Sequence, residues 1–122
     1  MIGYVTLGTN DLPRAAAFYD TLLAELGAKR TMEFERGIVW GTDQGKPSLG
    51  VMKPFDGKAA SVGNGVMVGL AVATREAVDR VHKKALELGG KDEGPVGLRG
   101  EGFYTGYFRD LDGNKLNVFC VG

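Results

Sequence analysis

The chain writes one structural unit twice, and this repetition constrains the fold more than any other feature. Residues 3–9, Gly-Tyr-Val-Thr-Leu-Gly-Thr, read as a strand from their β-branched and apolar content. Asn10-Asp11-Leu12-Pro13 then opens a helix, with Asp11 as the cap and a proline in the first turn. The helix extends to about Leu26 and stops at Gly27. Its residues Ala15, Phe18, Leu22 and Leu26 recur at spacings of three and four, giving one apolar face. The second half repeats the order: a strand over 66–72, a cap at Thr74, a helix over 75–88 and a stop at Gly89-Gly90. Ala77, Val81, Ala85 and Leu88 form its buried stripe. A shift of 63 positions carries Val5 onto Val68, Leu7 onto Leu70, Asp11 onto Thr74, Leu23 onto Leu86 and Gly27 onto Gly90. Caps, stops and strand positions are independent signals, so their joint superposition points to a duplication.

Each helix is followed by three strand candidates: 30–35, 37–42 and 48–53 in the first half, and 92–96, 103–109 and 115–121 in the second. The unit is therefore βαβββ. One helix covers one face of a small sheet and leaves the other face bare, and two such units can turn their bare faces towards each other around a cavity. The expected fold class is α+β: two tandem βαβββ modules forming a curved, cavity-enclosing mixed sheet with helices outside. The 122 residues suffice for one domain, 1–122, divided into module one (1–57), a linker (58–64) lying within the stretch 53–65 that is rich in Gly, Pro and polar residues, and module two (65–122).

Composition excludes several function classes. Fifteen basic and fifteen acidic residues give a formal net charge of +0, and the basic residues are scattered, so no nucleic-acid footprint is present. No apolar run is long enough to span a membrane, and Met1 runs directly into Ile2-Gly3-Tyr4-Val5 without a basic signal region. The single cysteine, Cys120, cannot form an intrachain disulfide, which suits a reducing cytoplasm; placed among strand residues, it reads as a buried inert thiol.

Asp-Leu-Pro-Arg-Ala-Ala-Ala-Phe-Tyr at 11–19, Asp-Leu-Asp-Gly-Asn-Lys-Leu at 110–116 and the duplicated unit together resemble the vicinal oxygen chelate superfamily, which includes glyoxalase I, bleomycin-resistance proteins and extradiol dioxygenases. The resemblance covers nearly the whole chain and implies a fold rather than one activity. Metal-dependent members carry ligands at four strand positions, typically His, Glu or Gln. Carried over residue by residue, these fall on Tyr4, Gly50, Met67 and Asn117. Glycine offers no side chain, neutral Tyr and Asn are poor ligands, and Met suits only soft ions. The resemblance therefore implies a site whose metal chemistry is lost as a set, and no metal or other cofactor is expected. His82, the only imidazole, falls on the second helix and reads as a surface or boundary residue. Glu33, Glu35 and Glu101 are the carboxylates near strands, and read mainly as solvated.

Strand alternation sends Val5, Leu7, Val68, Leu70, Leu116 and Val118 to the helices. It leaves Tyr4, Thr6, Met67, Gly69, Asn117 and Phe119 for the cavity. Trp40 and Tyr107 stand at matching positions of their modules and are expected to share an orientation towards it. Gly97 to Tyr104 is Gly-rich but lacks the phosphate-loop order, leaving a lid or a simple turn, with Arg99 able to meet an anion. The wall is aromatic and apolar with a few polar points, the usual character of a small-molecule site. Three functions compete: a homodimeric, metal-independent protein binding a small, partly aromatic molecule; an enzyme of the same superfamily, of lyase, isomerase or dioxygenase type, in which Tyr4 and Asn117 donate to an oxyanion and Glu101 acts as base; and a structural or interaction module.

Overall fold

The computed structural model describes all of residues 1–122. The chain divides into two compact units, Met1–Ser61 and Val62–Gly122. The first unit runs β1 (Tyr4–Gly8), α1 (Leu12–Ala24), β2 (Lys29–Phe34), β3 (Gly37–Gly41) and β4 (Ser48–Met52). The second runs β5 (Val68–Ala71), α2 (Arg75–Glu87), β6 (Lys91–Leu98), β7 (Phe103–Arg109) and β8 (Lys115–Val121). The two four-stranded sheets have the orders β1-β4-β3-β2 and β5-β8-β7-β6. In each, the first strand pairs parallel with the last and the other pairings are antiparallel. This is the βαβββ unit, twice. Neither helix is long and apolar enough to cross a membrane.

Local chemistry sets the helix ends. The Asp11 carboxylate accepts from the Arg14 backbone N–H and the Thr74 hydroxyl from that of Ala77, each relieving a donor at a helix start. Both helices are 13 residues long. Both finish through a glycine at positive φ, Gly27 (+77°) and Gly89 (+99°), after which the next backbone N–H reaches back into the last turn, from Ala28 to Leu23 and from Gly90 to Ala85. The structural counterpart of Gly27 is thus Gly89, one residue before the sequence match, because α1 closes with an extra tightened turn over 25–27.

Each helix packs on one face of its own sheet. In the first unit Phe18, Tyr19 and Leu22 of α1 meet Ile38, Trp40 and Val51; in the second Val78, Val81 and Ala85 of α2 meet Phe108, Leu116 and Val118. His82 belongs to this second core, only 6% exposed. Its Nε2 lies 3.0 Å from the Tyr107 carbonyl and 3.3 Å from Asp92 Oδ1. Both neighbours are acceptors, so Nε2 carries the proton. The expectation of a surface or boundary histidine is corrected: helical periodicity shows which face a residue takes but not that strand partners wait there.

The Arg109-Asp-Leu-Asp-Gly-Asn114 motif is a structural turn. Asp110 Oδ1 accepts from the backbone N–H groups of Asp112 and Asn114, and its Oδ2 from the Asn114 amide, all at 2.9 Å. Gly113 supplies φ +90°, and the Arg109 guanidinium donates to its carbonyl. The motif fixes the β7–β8 register, which seats Tyr107 directly opposite Asn117.

Candidate functional site

The site residues are positioned by the sheet faces that the helices leave open. On the first sheet, Tyr4 and Thr6 of β1 point away from α1; Tyr4 is 70% exposed. Gly50 of β4 sits opposite Thr6, and a Cβ there would fall 3.3 Å from the threonine methyl. A cavity of about 990 Å³ lies on this face, with Tyr4, Thr6, Met32, Phe34, Val39 and Phe55 among its walls. The Arg36 guanidinium stacks on the Phe55 ring.

Trp40 is not part of that wall. It is 1% exposed, its indole N–H donates to Asp20 Oδ1 on α1 at 2.9 Å, and its ring packs on Tyr19. Its expected common orientation with Tyr107 fails because the sheet registers set the correspondence: Trp40 opposes Leu49 as Phe108 opposes Leu116, so Phe108 is its counterpart. Tyr107 corresponds to Val39, which opposes Gly50 as Tyr107 opposes Asn117. Asp20 also accepts a paired contact from Arg30, which in turn reaches Glu33. These bonds hold the Asp20 carboxyl below its ordinary range, Arg30 being the main cause. Glu33 therefore belongs to the helix side.

Met32 and Phe34 escaped the sequence reading. A bulge between Arg30 and Met32 lets Arg30 face α1 while Met32 and Phe34 face the cavity, although simple alternation gives all three one face. The one available signal was the apolar period Met32, Phe34, which the bulge separates from Arg30.

On the second sheet, Tyr107, Asn117 and Gly69 form a row across β7, β8 and β5, with Thr105, Phe119 and Ala71 beside it. Phe119 stacks on Phe103 with ring centroids 5.3 Å apart. Met67 lies just before β5, 43% exposed, against a second cavity of about 510 Å³ shared with Arg109 and Lys115. The run from Gly97 closes the β6–β7 hairpin: the Arg99 N–H bonds the Phe103 carbonyl, and Gly100 and Gly102 take positive φ. It is the turn of the two sequence alternatives. Arg99 folds back over the Tyr107 ring, and Glu101 stands exposed at the hairpin tip. Arg109 is engaged by Glu93, whose carboxyl is held low chiefly by that hydrogen bond.

Asn117 is 2% exposed. Its Nδ2 donates to Thr105 Oγ1 at 2.9 Å, and Thr105 donates its only hydroxyl proton to the Val118 carbonyl at 2.8 Å. Thr105 can therefore only accept from Asn117, which fixes the amide orientation. One of the two Asn117 Nδ2 protons is committed to Thr105. Asn117 Oδ1 is the one buried side-chain polar atom without a partner.

The four positions that the resemblance assigns to metal ligands carry a phenol, a glycine, a thioether and an amide whose neighbours are aromatic rings and a threonine. No three His, Cys, Asp or Glu side chains come together anywhere in the chain. This donor set does not fit a divalent metal centre.

The glyoxalase/bleomycin resistance protein/dioxygenase superfamily is matched over residues 1–118, and the chain belongs to that superfamily. Within it, the chain is similar to a glyoxalase/bleomycin resistance protein from Albidiferax ferrireducens T118, at 32% identity, covering 100% of this chain and 99% of that one with a TM-score of 0.91. It shares its fold with a glyoxalase/bleomycin resistance protein/dioxygenase family enzyme from Burkholderia phytofirmans PsJN (18% identity, coverage 98% and 98%, TM-score 0.76). The same holds for a lactoylglutathione lyase from Agrobacterium tumefaciens (19% identity, coverage 98% and 92%, TM-score 0.71). No curated protein matches the chain.

Proposed function

We propose that this superfamily member binds a small, partly aromatic molecule on the open faces of its sheets without a metal. The observation that carries the reading is the donor set: at the four positions where metal-dependent relatives place ligands, this chain has Tyr4, Gly50, Met67 and Asn117. Around them stand apolar and aromatic walls with a few polar points, the composition expected of a small-molecule site. The exposed apolar side chains Tyr4, Met32, Phe34, Phe55 and Met67 support the further proposal of a homodimer, since apolar surface of this extent is normally covered. A cytoplasmic location is proposed from the single buried thiol.

The test has three parts on untagged protein: metal content by mass spectrometry, mass in solution by light scattering, and calorimetric screening against aromatic ligands. Calorimetry is the right readout because Trp40 packs on α1 and its fluorescence is remote from the open face. The reading expects substoichiometric metal, a dimeric mass and saturable binding. Close to one metal per chain overturns it.

A further inference from the structure

We infer that the second unit's open face is built for an aromatic acid that also carries an N–H or O–H donor. This rests on the small-molecule reading above and names the ligand class for that face. The first requirement comes from Asn117. Its orientation is locked through Thr105 to the Val118 carbonyl, and its Oδ1 is left buried without a donor. A buried carbonyl in that state demands a partner. Gly69, opposite it on β5, keeps the approach open: a Cβ there would lie 2.9 Å from Oδ1 and 3.2 Å from the edge of the Phe119 ring. Phe119 is half-buried, and its ring edge borders this approach.

The second requirement comes from the rings. Tyr107, Phe119 and Phe103 offer flat apolar surface around the amide, which suits a planar partner. The third comes from charge. Arg99 and Lys115 both lie over the Tyr107 ring, at 5.7 and 5.5 Å from its centroid. Arg99 bonds only the Pro95 carbonyl, and neither cation forms a salt bridge, whereas Arg109 nearby is held by Glu93 at 2.9 Å. Two cations without a direct salt bridge, although Lys115 lies close enough to Glu93 to help hold its carboxyl low, stand beside aromatic rings and a buried acceptor and match a ligand with an anionic group, a flat body and a donor.

The test is calorimetry on the full chain with two probe series, one built on benzoate and one on indole-3-acetate. Each series contains the acid with its ring O–H or N–H, the same acid methylated at that atom, and the neutral amide of the acid. In wild type, the donor-bearing acid is expected to bind about tenfold more tightly than its methylated form, the size of one buried hydrogen bond gained. In Asn117→Leu that ratio falls to about one, while the preference for acid over amide persists. In Arg99→Gln/Lys115→Gln the acid preference is lost and the donor preference persists. Equal affinity for donor and methylated probes in both series of wild type overturns the inference and leaves the pocket reading standing. Absence of binding by every probe at millimolar concentration overturns both.

Discussion

Asn117→Leu is expected to make this protein more stable. Burying a carbonyl oxygen with no donor costs about 1–3 kcal/mol, and the one neutral hydrogen bond that Asn117 makes returns about 1 kcal/mol. Leucine has a similar size, removes the orphaned oxygen and leaves Thr105 still donating to Val118, so only an acceptor lone pair goes unused. The net gain is about 0–2 kcal/mol, or up to about 8 °C in Tm for a chain of this length. Thr105→Val, equally isosteric, has the opposite sign. It removes the hydroxyl that anchors the amide and leaves the whole Asn117 side chain unpaired in the core, costing about 2–4 kcal/mol. Thr105→Val with Asn117→Leu removes the complete polar set and is expected to lie near wild type, so the two changes are strongly non-additive. Denaturant unfolding of the four proteins measures this cycle. Loss of more than about 1 kcal/mol in Asn117→Leu, or simple additivity in the double variant, refutes the argument that Oδ1 is unsatisfied. A gain in Asn117→Leu would show that the wild-type side chain is kept at a stability cost, the pattern expected of a position held for binding.

Gly106→Ala places a Cβ 2.8 Å from both His82 Cδ2 and Val96 Cγ1, and His82 is pinned through Nε2; a loss of about 1–3 kcal/mol is expected in thermal unfolding. Trp40→Phe removes the indole donor to Asp20 and is expected to lower stability by about 1–2 kcal/mol while leaving ligand affinity on the open faces unchanged, as measured by denaturation and calorimetry together. Because the folded Asp20 carboxyl titrates below its ordinary value of 3.8, its stabilising contribution is complete above that value and disappears as pH falls through the lower folded one. The Tm difference between wild type and Asp20→Asn should therefore be present at pH 7 and shrink below about pH 4. Chelator treatment, or added zinc, should leave the Tm within error of the untreated protein; a zinc-induced rise of several degrees would indicate a metal site.

The sequence alone determined the repeat, and with it the fold. Caps at Asp11 and Thr74, glycine stops and period-two strands are local signals that each act within a few residues, so they are legible without tertiary contacts. Strand alternation likewise placed Tyr4, Thr6, Gly69 and Asn117 on the faces away from the helices. What only the tertiary structure decided depended on register and on partners distant in the chain. Trp40 went to the α1 side because its opposite number is Leu49, and the pairing of β3 with β4 is not written in spacing from β7. Met32 and Phe34 reached the open face through a bulge, an insertion that breaks the period from which faces are read. His82 became core because Tyr107 and Asp92, 25 and 10 residues away, supplied acceptors. The state of Asn117 was hidden for the same reason: its amide is fixed by Thr105, and Thr105 by Val118, a chain of hydrogen bonds that exists only once β7 lies beside β8.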